Sequence, residues 1–71
     1  MKYSVGDIFI DPFGNLVRVW NIIPNPSSGK PYYAVTFTTQ DKSQKSHLRW
    51  YDHDLDVFVN ISSPVLKELY S

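Results

Sequence analysis

The chain contains no cysteine, and this absence limits how a sequence of 71 residues can hold a fold together. Neither a disulfide nor a thiolate-bound metal, on which small domains often depend, is possible. The core must therefore be stabilised by packing, and aromatic side chains suit this role because each buries about 150–250 Å². Two Trp, five Tyr and four Phe make up 15% of the chain, which is enough for one compact core. We predict a single domain over residues 1–71.

Charge and hydropathy argue against whole classes of function. Seven basic residues balance seven acidic ones, so no net field attracts the chain to nucleic acid or anionic lipid. The first residues lack the ~7–15 apolar residues of a secretion signal, and no run approaches the ~18 apolar residues of a membrane span. Together with the absence of cysteine, these features predict a cytoplasmic protein. Its length, starting at Met1, is typical of a small accessory protein from a bacterium or phage.

Turn signals divide the chain into short segments of alternating apolar and polar residues, the pattern of an antiparallel β domain. The predicted strands span residues 7–11, 16–23, 32–39, 44–51 and 56–61. Residues 11–15 hold the Pro and Gly of a chain reversal, and residues 24–31 hold three prolines and form an exposed loop. Residues 52–55 form a short turn. Pro64 begins a predicted C-terminal helix over residues 64–70.

Alternation also assigns a face to each side chain, because successive residues of a strand point to opposite sides. In the first strand, Ile8 and Ile10 share one face and Phe9 lies opposite them. The second strand is apolar on both faces, which suits a bent strand in a small barrel or a strand covered by a partner. Its two faces hold Val17, Val19 and Ile23 on one side, and Leu16, Trp20 and Ile22 on the other. The inward residues of the next two strands are predicted to be Tyr33, Val35, Phe37, Leu48 and Trp50.

Three features of the first third of the chain carry a family resemblance. They are Val5-Gly6-Asp7-Ile8, the turn at Gly14, and the alternation of Leu16-Val17-Arg18-Val19. These features resemble the opening of many bacterial SH3-like barrels of KOW or Tudor type. The resemblance implies a mostly β fold: a single five-stranded SH3-like barrel with a short C-terminal helix. The Ala-Leu-Tyr-Asp-Tyr motif of eukaryotic SH3 domains is absent, so recognition of Pro-rich peptides is not implied; an OB-type barrel, which needs longer strands, is the alternative fold.

No arrangement of residues predicts catalysis or metal binding. The segment Asp52-His53-Asp54-Leu55-Asp56 places three carboxylates at alternate positions, as at the start of a calcium loop. However, Val57 and Ser63 stand where that loop needs Gly and a bidentate Glu. The only other histidine, His47, has no zinc-ligand spacing to His53. The three glycines are far apart and do not form a phosphate loop. We therefore predict no enzyme activity, no cofactor and no metal.

One predicted strand has the composition of a nucleic-acid groove. Lys45, His47, Arg49 and Tyr51 share a face of the fourth strand. Cations with an aromatic ring suit a single strand of nucleic acid, because charge meets the phosphates and the ring stacks on a base. An ordinary solvated strand can have the same composition, and three acids after the strand lower the positive potential. Nucleic-acid binding is therefore our second hypothesis.

A protein partner is our first hypothesis, because the chain has more aromatic residues than its core requires. Together with Phe9, the residues Trp20, Tyr32 and Tyr51 fall opposite the main apolar stripes, and aromatics beside Arg are typical of interface centres. A tightly curved barrel with a terminal helix would instead use both strand faces and bury Trp20 and Phe9. We predict a non-catalytic protein-binding module that is a monomer or a homodimer through edge pairing of the second strand. Strands two to four and the Pro-rich loop form the surface. Its predicted binding residues are Trp20, Tyr32, Lys45, His47, Arg49 and Tyr51.

Overall fold

The computed structural model describes residues 2–62, which form five strands and one short helix. In chain order the elements are β1 (Ile8–Ile10), β2 (Leu16–Ile23), β3 (Tyr32–Thr38), β4 (Lys45–Trp50), α1 (Asp52–Leu55) and β5 (Val59–Asn60). All five predicted strands are present, although β1 and β5 are shorter than expected. The predicted turn over 52–55 is one turn of α-helix, and the predicted helix over 64–70 lies outside the described residues. No helix within residues 2–62 combines the length and apolar character needed to cross a membrane.

The strands form one antiparallel sheet in the order β4-β3-β2-β1-β5. The mostly β class is therefore confirmed. Within residues 2–62, β4 and β5 do not pair with each other, so the sheet is not closed. β2 pairs with β1 on one side and β3 on the other. Both sides of β2 are paired over residues 16–18, which closes that part of the strand to edge pairing, and the choice between monomer and homodimer stays a prediction.

The sheet bends so that its two edges approach each other. Trp50 at the end of β4 and Phe58 just before β5 have ring centroids 5.5 Å apart. Only residues 51–58 connect these edges, and α1 shortens that connection because a helix rises about 1.5 Å per residue. Five strands in a flat sheet would place the edge strands about 19 Å apart. The contact between Trp50 and Phe58 therefore shows that the sheet curves around its inner side.

The core lies on the inner side of the curved sheet. Its fully buried cluster consists of Phe9, Val17, Val19, Tyr33, Val35 and Leu55. The inward positions predicted for Val17, Val19, Tyr33 and Val35 are confirmed. Phe9 is buried, as expected of a curved sheet that uses both faces of its strands: β1 pairs Phe9 with Val17, and directly opposed residues of neighbouring strands share a face.

A β-bulge in β2 exchanges the faces of its second half. The pairing with β3 skips from Val19 to Asn21, which leaves Trp20 as the extra residue. Beyond the bulge, Ile22 packs against the core, whereas Ile23 lies beside Trp20 at the edge of a groove on the opposite side. Simple alternation predicted the reverse for both isoleucines. With the bulge taken into account, Val17, Val19 and Ile22 lie on the core side, and Trp20 and Ile23 lie on the opposite side.

The inner side of β4 is only partly covered. Trp50 packs against Phe37 and Phe58, as its predicted inward position requires. Leu48 is 40% exposed, so its assignment to the core is wrong. The reason is topological: β4 is the edge strand and has a neighbour on one side only.

The residues before β1 fold across the inner side of the sheet. The ring of Tyr3 meets Phe9 and Tyr33 edge-on, with centroids 5.0 and 5.8 Å apart. The Tyr33 side chain is buried, and its Oη accepts the backbone N–H groups of Lys2 and Tyr3 at 3.2 Å each. The buried hydroxyl is therefore satisfied, and it fixes the N-terminal segment against the core.

Asp56 joins the N-terminal segment to the chain that follows α1. Its carboxylate accepts hydrogen bonds from Lys2 Nζ, at 2.9 Å, and from the Tyr3 hydroxyl. The hydrogen bond to Asp56 raises the pKa of Tyr3 to about 12. The hydrogen bonds from Lys2 and Tyr3 lower the pKa of Asp56 below its ordinary value. These three side chains hold together two segments that are distant in sequence.

Tyr33→Phe should lower the free energy of unfolding by about 1–2 kcal/mol, because two backbone N–H groups lose their acceptor. Urea denaturation measures this change. Tyr32→Phe is the matched control, since it removes a hydroxyl on the solvent side of the sheet and should cost less than about 0.5 kcal/mol. Equal losses in the two variants would show that the Tyr33 hydroxyl does not hold the N-terminal segment.

Asp56 should make stability depend on pH at both extremes. Because its folded pKa is lowered, its contribution is present above the unfolded carboxyl pKa of about 4 and is lost as pH falls through the folded value. The hydrogen bond from Tyr3 to Asp56 behaves in the opposite way. Because the Tyr3 pKa is raised to about 12, the stability from this hydrogen bond is present below pH ~10 and is lost as pH rises toward the folded value. Asp56→Asn should therefore lower the melting temperature near pH 7. It should also reduce the fall in melting temperature at both acid and alkaline pH. A parent–variant difference that is constant from acid to alkaline pH would contradict this role.

Candidate binding surface

The side of the sheet opposite the core faces solvent, and we call it the outer face. Three neighbouring strands supply it, together with the residue that follows β4. Alternation and the strand register place its principal side chains, which are Arg18, Trp20, Tyr32, Thr36, Lys45, His47, Arg49 and Tyr51. Because these residues lie on or next to paired strands, their backbones are held in fixed relative positions.

Cross-strand pairing fixes the relative positions of the basic side chains on the outer face. Arg18 of β2 pairs with Thr36 of β3, which in turn pairs with His47 of β4. The Thr36 Oγ1 and His47 Nδ1 atoms are 3.1 Å apart, so this hydrogen bond orients the imidazole. Lys45 and Arg49 flank His47 at alternate positions of β4 and share its face. The result is a row of basic side chains along the edge strand, with Arg18 two strands away.

Trp20 is the exposed aromatic residue at the centre of this surface. The bulge in β2 places it there, and it is 51% exposed. Its ring meets the His47 ring edge-on, with centroids 6.3 Å apart. Two shallow grooves share Trp20 as a wall: one of about 340 Å³ reaches Arg18 and Lys45, and one of about 270 Å³ reaches Arg49. A ligand lying across the outer face therefore meets the indole ring and basic groups on both sides of it.

Two tyrosines close the end of the outer face near the loop between β2 and β3. The rings of Tyr32 and Tyr51 have centroids 4.8 Å apart, and Tyr51 also stacks on His53 at 5.5 Å. Asn25 Nδ2 donates to Tyr51 Oη at 3.1 Å, which joins the loop to this end of the surface. An open apolar cavity of about 480 Å³ is lined by Ile22 and by residues 24–26 and 29–31 of this loop.

Charge is partitioned between the strands and the segments that connect them. None of the five strands contains an acidic residue, whereas Arg18, Lys45 and Arg49 all lie in strands. The aspartates of residues 2–62 are confined to turns, loops and α1. A formal net charge of zero therefore conceals a basic outer face.

The three acids that follow β4 are each engaged by their own surroundings. Asp52 Oδ1 accepts the His53 backbone N–H at 2.8 Å, and Asp54 Oδ2 accepts the Tyr51 N–H at 2.9 Å. Asp56 is held by Lys2 and Tyr3. Within the described chain, no three His, Asp or Glu side chains come together in a way that would hold a metal ion. The lowering of positive potential expected from these acids applies to the Tyr51 end of the surface, because α1 begins directly after that residue.

The structure brings all six predicted binding residues onto one surface. Trp20, Lys45, His47 and Arg49 lie along its centre and edge, and the two tyrosines lie at one end. Their role in binding stays a prediction. Sequence patterns did not identify Arg18, although alternation places it on the same face of the second strand as Trp20. Thr36 could be recognised only from its pairing with His47, and the sequence does not contain that register.

No family model matches the chain, and neither a curated protein nor a solved structure is detectably similar to it. No relative therefore assigns a role to any residue of the outer face. The function must be inferred from the geometry and chemistry of that surface.

Proposed function

We propose that this domain is a non-catalytic module that binds another protein through its outer face. The observation that carries the proposal is Trp20, a half-exposed indole on a central strand between two grooves. Trp and Arg are the residues that most often dominate binding energy at protein interfaces. Arg18 and Arg49 lie on the two sides of Trp20, so the surface combines both types at its centre.

A partner that covers the exposed part of Trp20 gains binding free energy. Covering the exposed half of an indole removes about 75–125 Å² of mostly apolar surface from water, worth roughly 2–3 kcal/mol. The supporting backbone is already fixed in the sheet, so little backbone entropy is lost on binding. Such a preorganised ring beside basic groups suits a protein surface with an apolar centre and an acidic rim.

The proposed architecture is an SH3-like barrel that is incompletely closed. Four successive antiparallel strands, a helical turn and a fifth strand that returns to β1 support it. The approach of Trp50 to Phe58 supports it further, because it brings the two edges of the sheet together. A cytoplasmic location and a bacterial or phage origin stay predictions from composition and length.

Trp20→Ala should abolish partner binding without unfolding the domain, because the side chain is half-exposed and lies outside the buried cluster. The immobilised parent and variant are compared as baits in an extract of the source cells treated with nuclease, and retained proteins are quantified by mass spectrometry. Specific proteins should be at least tenfold depleted on the variant, as expected when a hot-spot residue is truncated. Thermal melts should show that both baits are folded.

Phe13→Ala is the matched control for this experiment. Phe13 is also an exposed aromatic, 78% accessible, but it lies in the turn between β1 and β2 and not on the outer face. This control should retain the same proteins as the parent. If Trp20→Ala retains them equally well, the outer face is not the binding surface.

Single-stranded nucleic acid is a second candidate ligand, and one observation favours it. The strands carry three cations and no carboxylate, so a strand of phosphates could lie along β4 without meeting an acid on the sheet. Trp20 would then provide the stacking platform. The small number of cations limits this candidate, since three phosphate contacts predict a slope of only about −2 for log K against log salt.

The protein-partner proposal predicts no saturable binding of a labelled oligothymidine at about 0.15 M salt. Fluorescence anisotropy measures this binding directly. The opposite result is micromolar binding by the parent that disappears both in Trp20→Ala and in the double variant Lys45→Glu, Arg49→Glu. That result would show that the ligand is nucleic acid and not a protein. Both charge reversals lie on exposed positions, so the double variant should fold.

A further inference from the structure

We propose that the free edge of β4 accepts an acidic, extended segment of the partner protein as an additional strand. The inference rests on the proposed function, because Lys45, His47 and Arg49 belong both to the outer face and to this edge. Strand addition is an established mode of peptide recognition, in which backbone hydrogen bonds supply affinity and alternate side chains supply specificity. Three properties of β4 point to it.

The first property is the position of β4 in the sheet. Within residues 2–62, β4 pairs with β3 alone and lies at one end of the strand order. Residues 45–49 are all exposed. As far as the described residues show, the outward side of this strand is therefore open to an incoming chain along about 14 Å of its length.

The second property is the direction of its backbone groups. The Thr39 N–H donates to the Gln44 carbonyl at 3.1 Å, which marks 39 and 44 as a hydrogen-bonded pair. Such pairs alternate along an antiparallel ladder, so Ser46 and Leu48 bond to β3. The N–H and C=O groups of Lys45, His47 and Arg49 consequently point away from β3. They form the unpaired template that another strand requires.

The third property is the charge at these same positions. The side chains of Lys45, His47 and Arg49 all lie on the outer face, directly beside the space that an added strand would occupy. Opposed residues of paired strands have Cβ atoms about 4.5–5.5 Å apart, so the matching positions of the partner should be acidic. An incoming segment should therefore carry carboxylates at alternate positions.

The intervening positions of that segment would face the inner side of the sheet. They would lie opposite Ser46 and Leu48. Leu48 is 40% exposed because no strand covers it, and an apolar side chain of the partner would bury it. The edge thus selects a segment in which acidic residues alternate with at least one apolar residue.

A second copy of this chain does not fit the same edge. Antiparallel pairing of two β4 strands about His47 would set Lys45 of each copy opposite Arg49 of the other. Like charges directly opposite each other destabilise a strand pair. The basic residues therefore disfavour self-association through β4 in this register while they favour an acidic strand.

The test uses a capped nine-residue peptide with three Asp residues alternating with Val in its centre and Thr at both ends. A control peptide has the same composition but places the three Asp together. Amide hydrogen exchange of the intact ¹⁵N-labelled protein is followed by NMR during titration to millimolar peptide. The alternating peptide should slow exchange at least tenfold at Lys45, His47 and Arg49. The amides of Ser46 and Leu48 are already bonded to β3 and should change little.

Charge exchange provides the second measurement. The double variant Lys45→Glu, Arg49→Glu should bind the alternating acidic peptide at least tenfold more weakly, and it should bind a peptide with Lys in place of Asp. Equal binding of the alternating and clustered peptides by the parent, protection at other amides, or no saturable binding would each overturn strand addition. If that happens while Trp20→Ala still loses its partner proteins, the proposed function stands without this inference. If Trp20→Ala loses nothing, the proposed function fails by itself.

Discussion

The buried ring of Tyr33 and the hydrogen bonds to its hydroxyl connect the separate parts of this fold. The ring lies in the core between β2 and β4, where Tyr33 pairs with Ile22 and Trp50. Its Oη accepts the N–H groups of Lys2 and Tyr3, so the N-terminal segment covers the inner side of the sheet. Tyr3 in turn bonds to Asp56 and thereby reaches the chain beyond α1. In a domain without disulfides, one buried aromatic residue and its hydroxyl group thus join the N-terminal segment to the sheet.

Period-two patterns were sufficient to predict the five strands, because short alternating segments between turn residues have few other structural solutions. They also identified Val17, Val19, Tyr33 and Val35 as core residues. They failed for Ile22 and Ile23, since one inserted residue at Trp20 reverses every later face of the strand. They failed for Leu48 because exposure at an edge depends on strand order, which is a property of the whole chain and not of a local pattern.

The candidate surface was predicted in its composition but not in its arrangement. Lys45, His47 and Arg49 could be placed on one face from their spacing alone. Their position beside Trp20 depends on two registers and a bulge, none of which the sequence contains. The separation of charge was readable in principle, since acidic residues are missing from the predicted strand interiors. Whole-chain net charge obscured it, because acids in turns cancel bases on the sheet.

The return of β5 to β1 has a consequence for how the chain folds. β1 to β4 follow one another as hairpins and can pair locally, whereas β1 and β5 are separated by roughly 50 residues. Closing so long a loop is slow relative to hairpin formation, so contacts of this kind form late. During synthesis, one edge of β1 stays unpaired until β5 has emerged from the ribosome. In that interval the strand that contains Ile8 and Ile10 has an unpaired edge, which other chains can use for aggregation.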